Sequence, residues 1–145
     1  MRKSAFIFIF SFLVLFAGCA SLCPDNRTGL QAVPYTGLIV DARGIGLYST
    51  MSPKIVTEGD SRVVYETCDR ETAISTGIAG YTQSIREALN KEKSGENPLV
   101  VRAIGTDATL KNVIIRSRDA ELIAGADKKN EFLKKCAVVI VRDKK

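Results

Sequence analysis

The sequence predicts a single α+β domain in which two helices cover one face of a mixed or antiparallel sheet of five to six strands. Two observations lead to this prediction. Short apolar, β-branched segments recur between turn-forming residues, and in two places the apolar residues change to helical spacing. The domain is expected at residues 35–145, after a signal peptide at residues 1–18 and a flexible tether at residues 19–34.

The strands are predicted from their apolar segments and from the turns between them. They cover residues 36–43, 54–57, 62–65, 99–104, 113–116 and 136–141. The second and third are expected to form a hairpin, because the residues between them, Glu-Gly-Asp-Ser, favour turns. The last is expected near the centre of the sheet, since a strand buried on both faces is apolar throughout.

Helical periodicity is strongest in residues 69–93. The apolar positions that share one face there are Tyr81, Ile85, Ala88 and Leu89. Gly77 and Gly80 weaken the first half, so a break or a close packing contact is expected at these glycines. Asp119 is expected to cap a second, short helix.

The first 18 residues have the pattern of a secretory signal peptide. Arg2 and Lys3 precede an apolar run at residues 5–17, which holds five of the six phenylalanines and ends in small residues. A membrane-spanning helix would need about 20 apolar residues. A cleaved signal is therefore predicted, with an uncleaved anchor or a buried helix as the alternatives.

The end of this segment, Phe16-Ala17-Gly18-Cys19, resembles the lipobox of bacterial lipoprotein precursors. The resemblance implies cleavage before Cys19 and lipidation of its thiol, which would anchor the protein to a membrane. The alternative is that Cys19 is an ordinary cysteine of a secreted protein. Ala20 follows the cysteine where an aspartate would favour the inner membrane, so the periplasmic face of the outer membrane is predicted.

Composition limits the chemistry that the chain can perform. It contains no histidine, which excludes Ser-His-Asp and Cys-His nucleophile pairs and histidine metal ligands. No catalytic residue, cofactor or metal is predicted, and the protein is not expected to be an enzyme. Loss of Arg2 and Lys3 with the signal would lower the net charge from +5 to +3, too little to indicate nucleic-acid binding.

Three cysteines would remain after lipidation of Cys19. Export to the periplasm permits disulfides, and Cys23, Cys68 and Cys136 allow three different pairings among which the sequence does not choose. Because Cys136 begins an apolar segment, a buried and unreactive thiol is its simplest interpretation.

The first predicted strand leads into a glycine-rich loop that forms the candidate partner-binding site. Asp41 and Arg43 alternate along the strand, so their side chains should share one face. They form either a surface ion pair or a carboxylate and a guanidinium presented to a partner. Gly44 and Gly46 complete this candidate site. They form a turn and no dinucleotide fingerprint, since Ser49 occupies the third glycine position.

Several segments together carry a family resemblance. They are Thr-Gly-Leu-Ile-Val-Asp-Ala-Arg-Gly-Ile-Gly-Leu at residues 36–47, Gly-Ile-Ala-Gly-Tyr at residues 77–81, Asn-Pro-Leu-Val-Val at residues 97–101 and Phe-Leu-Lys-Lys-Cys-Ala-Val-Val-Ile-Val-Arg-Asp at residues 132–143. Over residues 35–143 the chain resembles small bacterial lipoproteins that are distantly related to the outer-membrane lipoprotein P of the flagellar motor.

This resemblance implies a non-enzymatic envelope lipoprotein with a structural or assembly role. The expected partners are the membrane, through lipidated Cys19, and further copies of the chain or other envelope proteins. The alternative function is a monomeric periplasmic binding module for a peptide, a glycan or a small ligand, using the same glycine-rich loop.

Overall fold

The described part of the chain folds into eight short strands and three helices. The computed structural model describes residues 33–144. The strands are β1 (Gly37–Asp41), β2 (Ile55–Thr57), β3 (Val63–Tyr65), β4 (Gly80–Thr82), β5 (Pro98–Arg102), β6 (Gly105–Thr106), β7 (Val113–Ile115) and β8 (Val138–Val141). The helices are α1 (Arg70–Thr76), α2 (Ile85–Leu89) and α3 (Ser117–Asn130), with one 3₁₀ turn at Glu92–Ser94.

The strands form two sheets of four. In the parallel sheet the order is β4-β8-β1-β5, and every neighbouring pair is parallel. In the mixed sheet the order is β3-β2-β7-β6, where β2 and β7 are parallel and both edge strands are antiparallel to their neighbours. The predicted combination of helices with β-sheet in one domain and the β2–β3 hairpin are confirmed. The arrangement differs from the single sheet that the sequence predicts, because β2 pairs with β7 and not with β1.

The core lies between the two sheets. Leu38 and Val40 of β1 pack there with Ile55 of β2, Ile123 of α3 and the fully buried Phe132. A smaller cluster covers the other face of the parallel sheet, where Ala88 of α2 packs on apolar side chains of β1 and β8. Helices α2 and α3 therefore pack into different clusters, so the two predicted helices do not cover one face of a sheet. As predicted, β8 is interior and fully buried.

The expected helix at residues 69–93 is divided in two. Asp69 caps α1, and Gly77 ends it with a φ of 79°. The chain then forms β4, which the helical spacing of Tyr81 and Ile85 concealed. A Cβ on Gly80 would lie 3.3 Å from Lys93 Cδ and 3.4 Å from a Val139 methyl group, so glycine avoids a tight contact with the Lys93 side chain. The break at the glycines is confirmed, and the helical assignment of Tyr81 is wrong.

The second predicted helix starts earlier and is longer than expected. Arg116 occupies its N-cap position, and Asp119 lies within the first turn, where its charge complements the helix dipole. The expectation that Asp119 caps the helix is therefore wrong. Phe132 follows the helix, and its burial fixes the turn that leads to β8.

A disulfide joins Cys68 to Cys136, with the two Cα atoms 5.3 Å apart. Cys136 is buried, but it is not the free thiol that the apolar pattern suggested, and it precedes β8. The bond connects the segment after β3 to the turn before β8, and so links the mixed sheet to the parallel sheet. Cys23 and the expected lipidation site Cys19 lie outside the described residues. No helix within residues 33–144 is both long and apolar enough to cross a membrane.

Candidate functional site

The predicted site lies at the carboxyl end of the parallel sheet, where all four strands end together. Backbone hydrogen bonds hold these ends in place. Ala103 N–H donates to Asp41 C=O at 2.9 Å, Ala42 N–H to Val141 C=O at 2.7 Å, and Arg142 N–H to Thr82 C=O at 2.9 Å. Ligands of parallel sheets commonly bind at this end, because the loops there converge around it.

Asp41 and Arg43 form a bidentate ion pair at this end. Arg43 Nε donates to Asp41 Oδ1 and Nη2 donates to Oδ2, both at 2.8 Å. Asp41 is 8% exposed, whereas the Arg43 side chain is 44% exposed. The expectation that the two side chains share one face is confirmed. The geometry leaves the outer part of the guanidinium accessible to a partner.

The ion pair shifts the pKa values of both groups. Hydrogen bonds from the Arg43 side chain lower the pKa of Asp41, against the opposing effect of burial, and the charge of Arg102 lowers it further. The same hydrogen bonds raise the pKa of Arg43. Both groups therefore stay charged throughout the physiological range.

Gly44 and Gly46 follow in the loop, and both are exposed. Their φ values are 82° and 72°, in the left-handed region that favours glycine. Gly44 N–H donates to Asp143 Oδ2 at 2.7 Å, so it joins the loop to the segment after β8. A Cβ on either glycine would meet nothing within 4 Å. Glycine is therefore favoured at these two positions by the backbone conformation and not by a lack of space for a side chain.

The rest of the loop is fixed to the body of the domain. Leu47 is buried in the core. The Tyr81 hydroxyl accepts a hydrogen bond from Thr50 N–H at 3.1 Å and donates one to Thr50 C=O at 2.9 Å. These contacts give the site a defined shape, because the loop is attached on both sides of Gly46.

Two arginines that sequence analysis did not select lie beside this loop. Arg102 pairs with Asp41 in the register of β1 and β5, and Arg116 follows β7. With Arg43 they line an open pocket of about 420 Å³. Arg102 and Arg116 are each the first charged residue at the end of an apolar strand, and this sequence pattern could have marked them as candidate site residues. Their proximity depends on strand pairing, which the sequence does not reveal.

Three further aspartates, Asp60, Asp107 and Asp119, could contribute to an acidic catalytic cleft only if they converged with Asp41. Asp60 accepts hydrogen bonds from Thr57 Oγ1 and from the backbone in the β2–β3 turn. Asp107 accepts from the Thr109 hydroxyl at 2.7 Å in the β6–β7 turn, and Asp119 lies in α3. Each belongs to a different element. Within residues 33–144 no three His, Cys, Asp or Glu side chains are grouped so that they could hold a metal ion.

Comparison with known proteins places the domain in a family. The model of one family, described as the second domain of Treponema pallidum Tp0624, matches residues 37–144. The match starts with β1 and includes every described strand and helix, about three quarters of the chain. No curated protein matches the chain. Treponema pallidum is a spirochete, so the family includes a bacterial protein. The chain belongs to the family of the Treponema pallidum Tp0624 second domain.

Proposed function

We propose that the protein is a lipid-anchored, non-enzymatic lipoprotein with a structural or assembly role on the periplasmic side of the outer membrane. The observation that carries this proposal is the lipobox-like sequence ending at Cys19, followed by a domain with an internal disulfide. Disulfides persist in oxidising compartments such as the periplasm, which agrees with export. The family match agrees with a bacterial protein, as the lipobox-like sequence requires. A distant relation to the flagellar outer-membrane lipoprotein P remains part of this proposal.

The anchor is tested by replacing two cysteines separately. In the full chain expressed in a bacterium, Cys19→Ala should abolish both the incorporation of labelled palmitate and the cleavage of the signal peptide before residue 19. Cys23→Ala is the matched control, four residues away, and should leave both unchanged. Labelling that persists in Cys19→Ala would contradict the anchor. Separation of inner and outer membranes on a density gradient tests the proposed location.

An assembly role is supported by the open edge of the parallel sheet. Among the described strands, β5 pairs only with β1. Ala103 N–H faces β1, so the alternate residues Val100 and Arg102 direct their backbone groups to the other side. Val100 is 45% exposed. Unpaired edge strands are templates for pairing with another chain, and a second β5 would extend the sheet.

The native mass of the purified chain, measured by light scattering at micromolar concentration, tests this role. A discrete multimer is expected. Val100→Lys should convert it to a monomer, because charged side chains on an edge strand oppose pairing. Leu122→Lys is the control, since Leu122 is also half exposed but lies on α3. A monomeric wild type would contradict self-association and favour the alternative, a monomeric binding module at the carboxyl end of the parallel sheet.

A further inference from the structure

The pocket lined by Arg43, Arg102 and Arg116 has an unusual concentration of positive charge for so small a surface. Among the described residues, its wall contains no carboxylate. Ile45 and Ile104 form an apolar part of the wall. We propose that this pocket binds a phosphate group. The site does not depend on the lipid anchor proposed above.

The three guanidiniums are not equally neutralised. Arg43 donates from Nε and Nη2 to Asp41, so one of its edges is occupied. Within residues 33–144, neither Arg102 nor Arg116 forms an ion pair with any carboxylate. Two guanidiniums that have no carboxylate partner among the described residues therefore lie beside a third that is hydrogen-bonded to Asp41.

Two nearby carboxylates are directed elsewhere. Asp143 accepts the Gly44 N–H at 2.7 Å, and Glu58 accepts the Ser117 N–H at 3.4 Å, at the start of α3. Glu58 already compensates the helix N-terminus, so the helix is not what attracts an anion here. Asp41 and Asp143 both act on Arg43, and Glu58 is engaged at the start of α3, so the positive charge available to a ligand is mainly that of Arg102 and Arg116.

Phosphate fits this arrangement by its geometry and its charge. A guanidinium presents parallel N–H donors that match two oxygens of a phosphate or a carboxylate. A carboxylate has two oxygens and satisfies one such fork. A phosphate group has more oxygens and can bridge several guanidiniums, as the pocket requires.

The site is tested on the full chain in dodecyl maltoside micelles, which contain no phosphate. Inorganic phosphate is added at pH 7.5, with sodium chloride adjusting the ionic strength to a constant value. The amide signals of Gly44 and Arg102 should shift in nuclear magnetic resonance spectra and saturate with a Kd of about 1 mM, as expected for a few charge-assisted hydrogen bonds. Shifts that never saturate would overturn the proposal.

Variants assign the binding to the pocket. Arg102→Ala and Arg116→Ala should each weaken phosphate binding about tenfold, because each removes a charged donor. Both side chains are exposed, so folding should be preserved, and unchanged spectra elsewhere would show it. Arg86→Ala, in α2 and outside the pocket, removes the same charge and should bind normally. Equal affinity in the wild type and the Arg102→Ala/Arg116→Ala double variant would overturn the proposal.

The same signals identify the source of the phosphate group. In mixed micelles containing phosphatidylglycerol, binding of the lipid headgroup would shift Gly44 and Arg102 before phosphate is added, and would reduce the response to phosphate. Unchanged titration in these micelles would identify a soluble phosphate compound. Either result, combined with the loss of binding in the arginine variants, supports a phosphate site.

Discussion

The two ends of the parallel sheet are closed in different ways. At the amino end, backbone packs against backbone. Leu38 N–H donates to Ala137 C=O at 2.8 Å, and a Cβ on Gly37 would overlap the Ser94 carbonyl. At the carboxyl end, the arginines around Asp41 are exposed, and Gly44 and Gly46 adopt positive φ values.

Because of this difference, substitutions at the amino end of the sheet should affect stability, and substitutions at the carboxyl end should affect binding. A substitution at the amino end disturbs packing that has no room to adjust. A substitution of an arginine at the carboxyl end mainly changes charge, since the arginine side chains there are exposed. The Cys68–Cys136 disulfide belongs to the first category, because Cys136 lies just before the amino end of β8.

Removal of the disulfide should have the largest effect on the free energy of unfolding. The bond closes a loop with a sequence separation of 68 residues, for which the chain-entropy model gives about 4 kcal/mol. Urea unfolding of Cys68→Ala/Cys136→Ala should show this loss. Reductant should destabilise the wild type equally and leave the double variant unchanged. A response of the double variant to reductant would show that another cysteine pair contributes.

Gly37→Ala should be the next most harmful change. Its Cβ would lie 2.6 Å from the Ser94 carbonyl carbon, so the backbone must move, and we expect a loss of about 3 kcal/mol. Gly44→Ala is the matched change at the other end. With open space but a φ of 82°, it should cost only about 1–2 kcal/mol. If urea unfolding gives the two variants equal stability, the contrast between the ends is wrong.

Local sequence patterns predicted the elements that depend on neighbouring residues. The buried β1, the β2–β3 hairpin and the interior β8 are of this kind, since each is defined by a short apolar segment or a turn. The division into two sheets depends on pairing between Ile55 and Val113, far apart in the chain. β4 was missed because Tyr81 and Ile85 have helical spacing across a glycine-containing strand.

The same distinction applies to the site. Asp41 and Arg43 are two residues apart, so strand alternation alone predicts their contact. Arg102 reaches Asp41 only through the parallel pairing of β5 with β1. The pairing of Cys68 with Cys136 likewise requires the assembled fold, and so no spacing rule selected it from the three alternatives.

Arg43→Ala should have a smaller effect on stability than either change at the amino end. It removes two hydrogen bonds from the nearly buried Asp41 carboxylate, but Arg43 itself is half exposed and solvent screens the pair, so the loss of unfolding free energy should be smaller than for Gly37→Ala. Arg43→Lys, which keeps the charge but not the fork, should fall between the wild type and Arg43→Ala in urea unfolding. A loss as large as that of Gly37→Ala would make Arg43 a packing residue.

The smallest effect concerns acid titration, and it distinguishes two kinds of lowered pKa. Hydrogen bonds from Arg43 lower the pKa of Asp41, whereas the Thr109 hydroxyl and the backbone of its own turn lower the pKa of Asp107 to about 2. Arg43→Ala should therefore raise the pKa of Asp41 and leave that of Asp107 unchanged, as measured by carboxyl carbon chemical shifts. Equal shifts of both would contradict the local origin of these values.

The sign of the stability effect follows from the direction of these shifts. A carboxyl group whose pKa is lower in the folded state stabilises the fold above its unfolded value of 3.8, and this contribution disappears as the pH falls through the folded value. For Asp107 the loss should occur between about pH 4 and pH 2 in every variant. The wild type should lose more stability below about pH 4 than Arg43→Ala, because Asp41 in the variant loses the side-chain hydrogen bonds of Arg43 and keeps only the backbone N–H of residue 43 and the charge of Arg102 to favour its charged form. If the free energy of unfolding of the two proteins depended on pH in the same way, the Asp41–Arg43 ion pair would contribute nothing to stability.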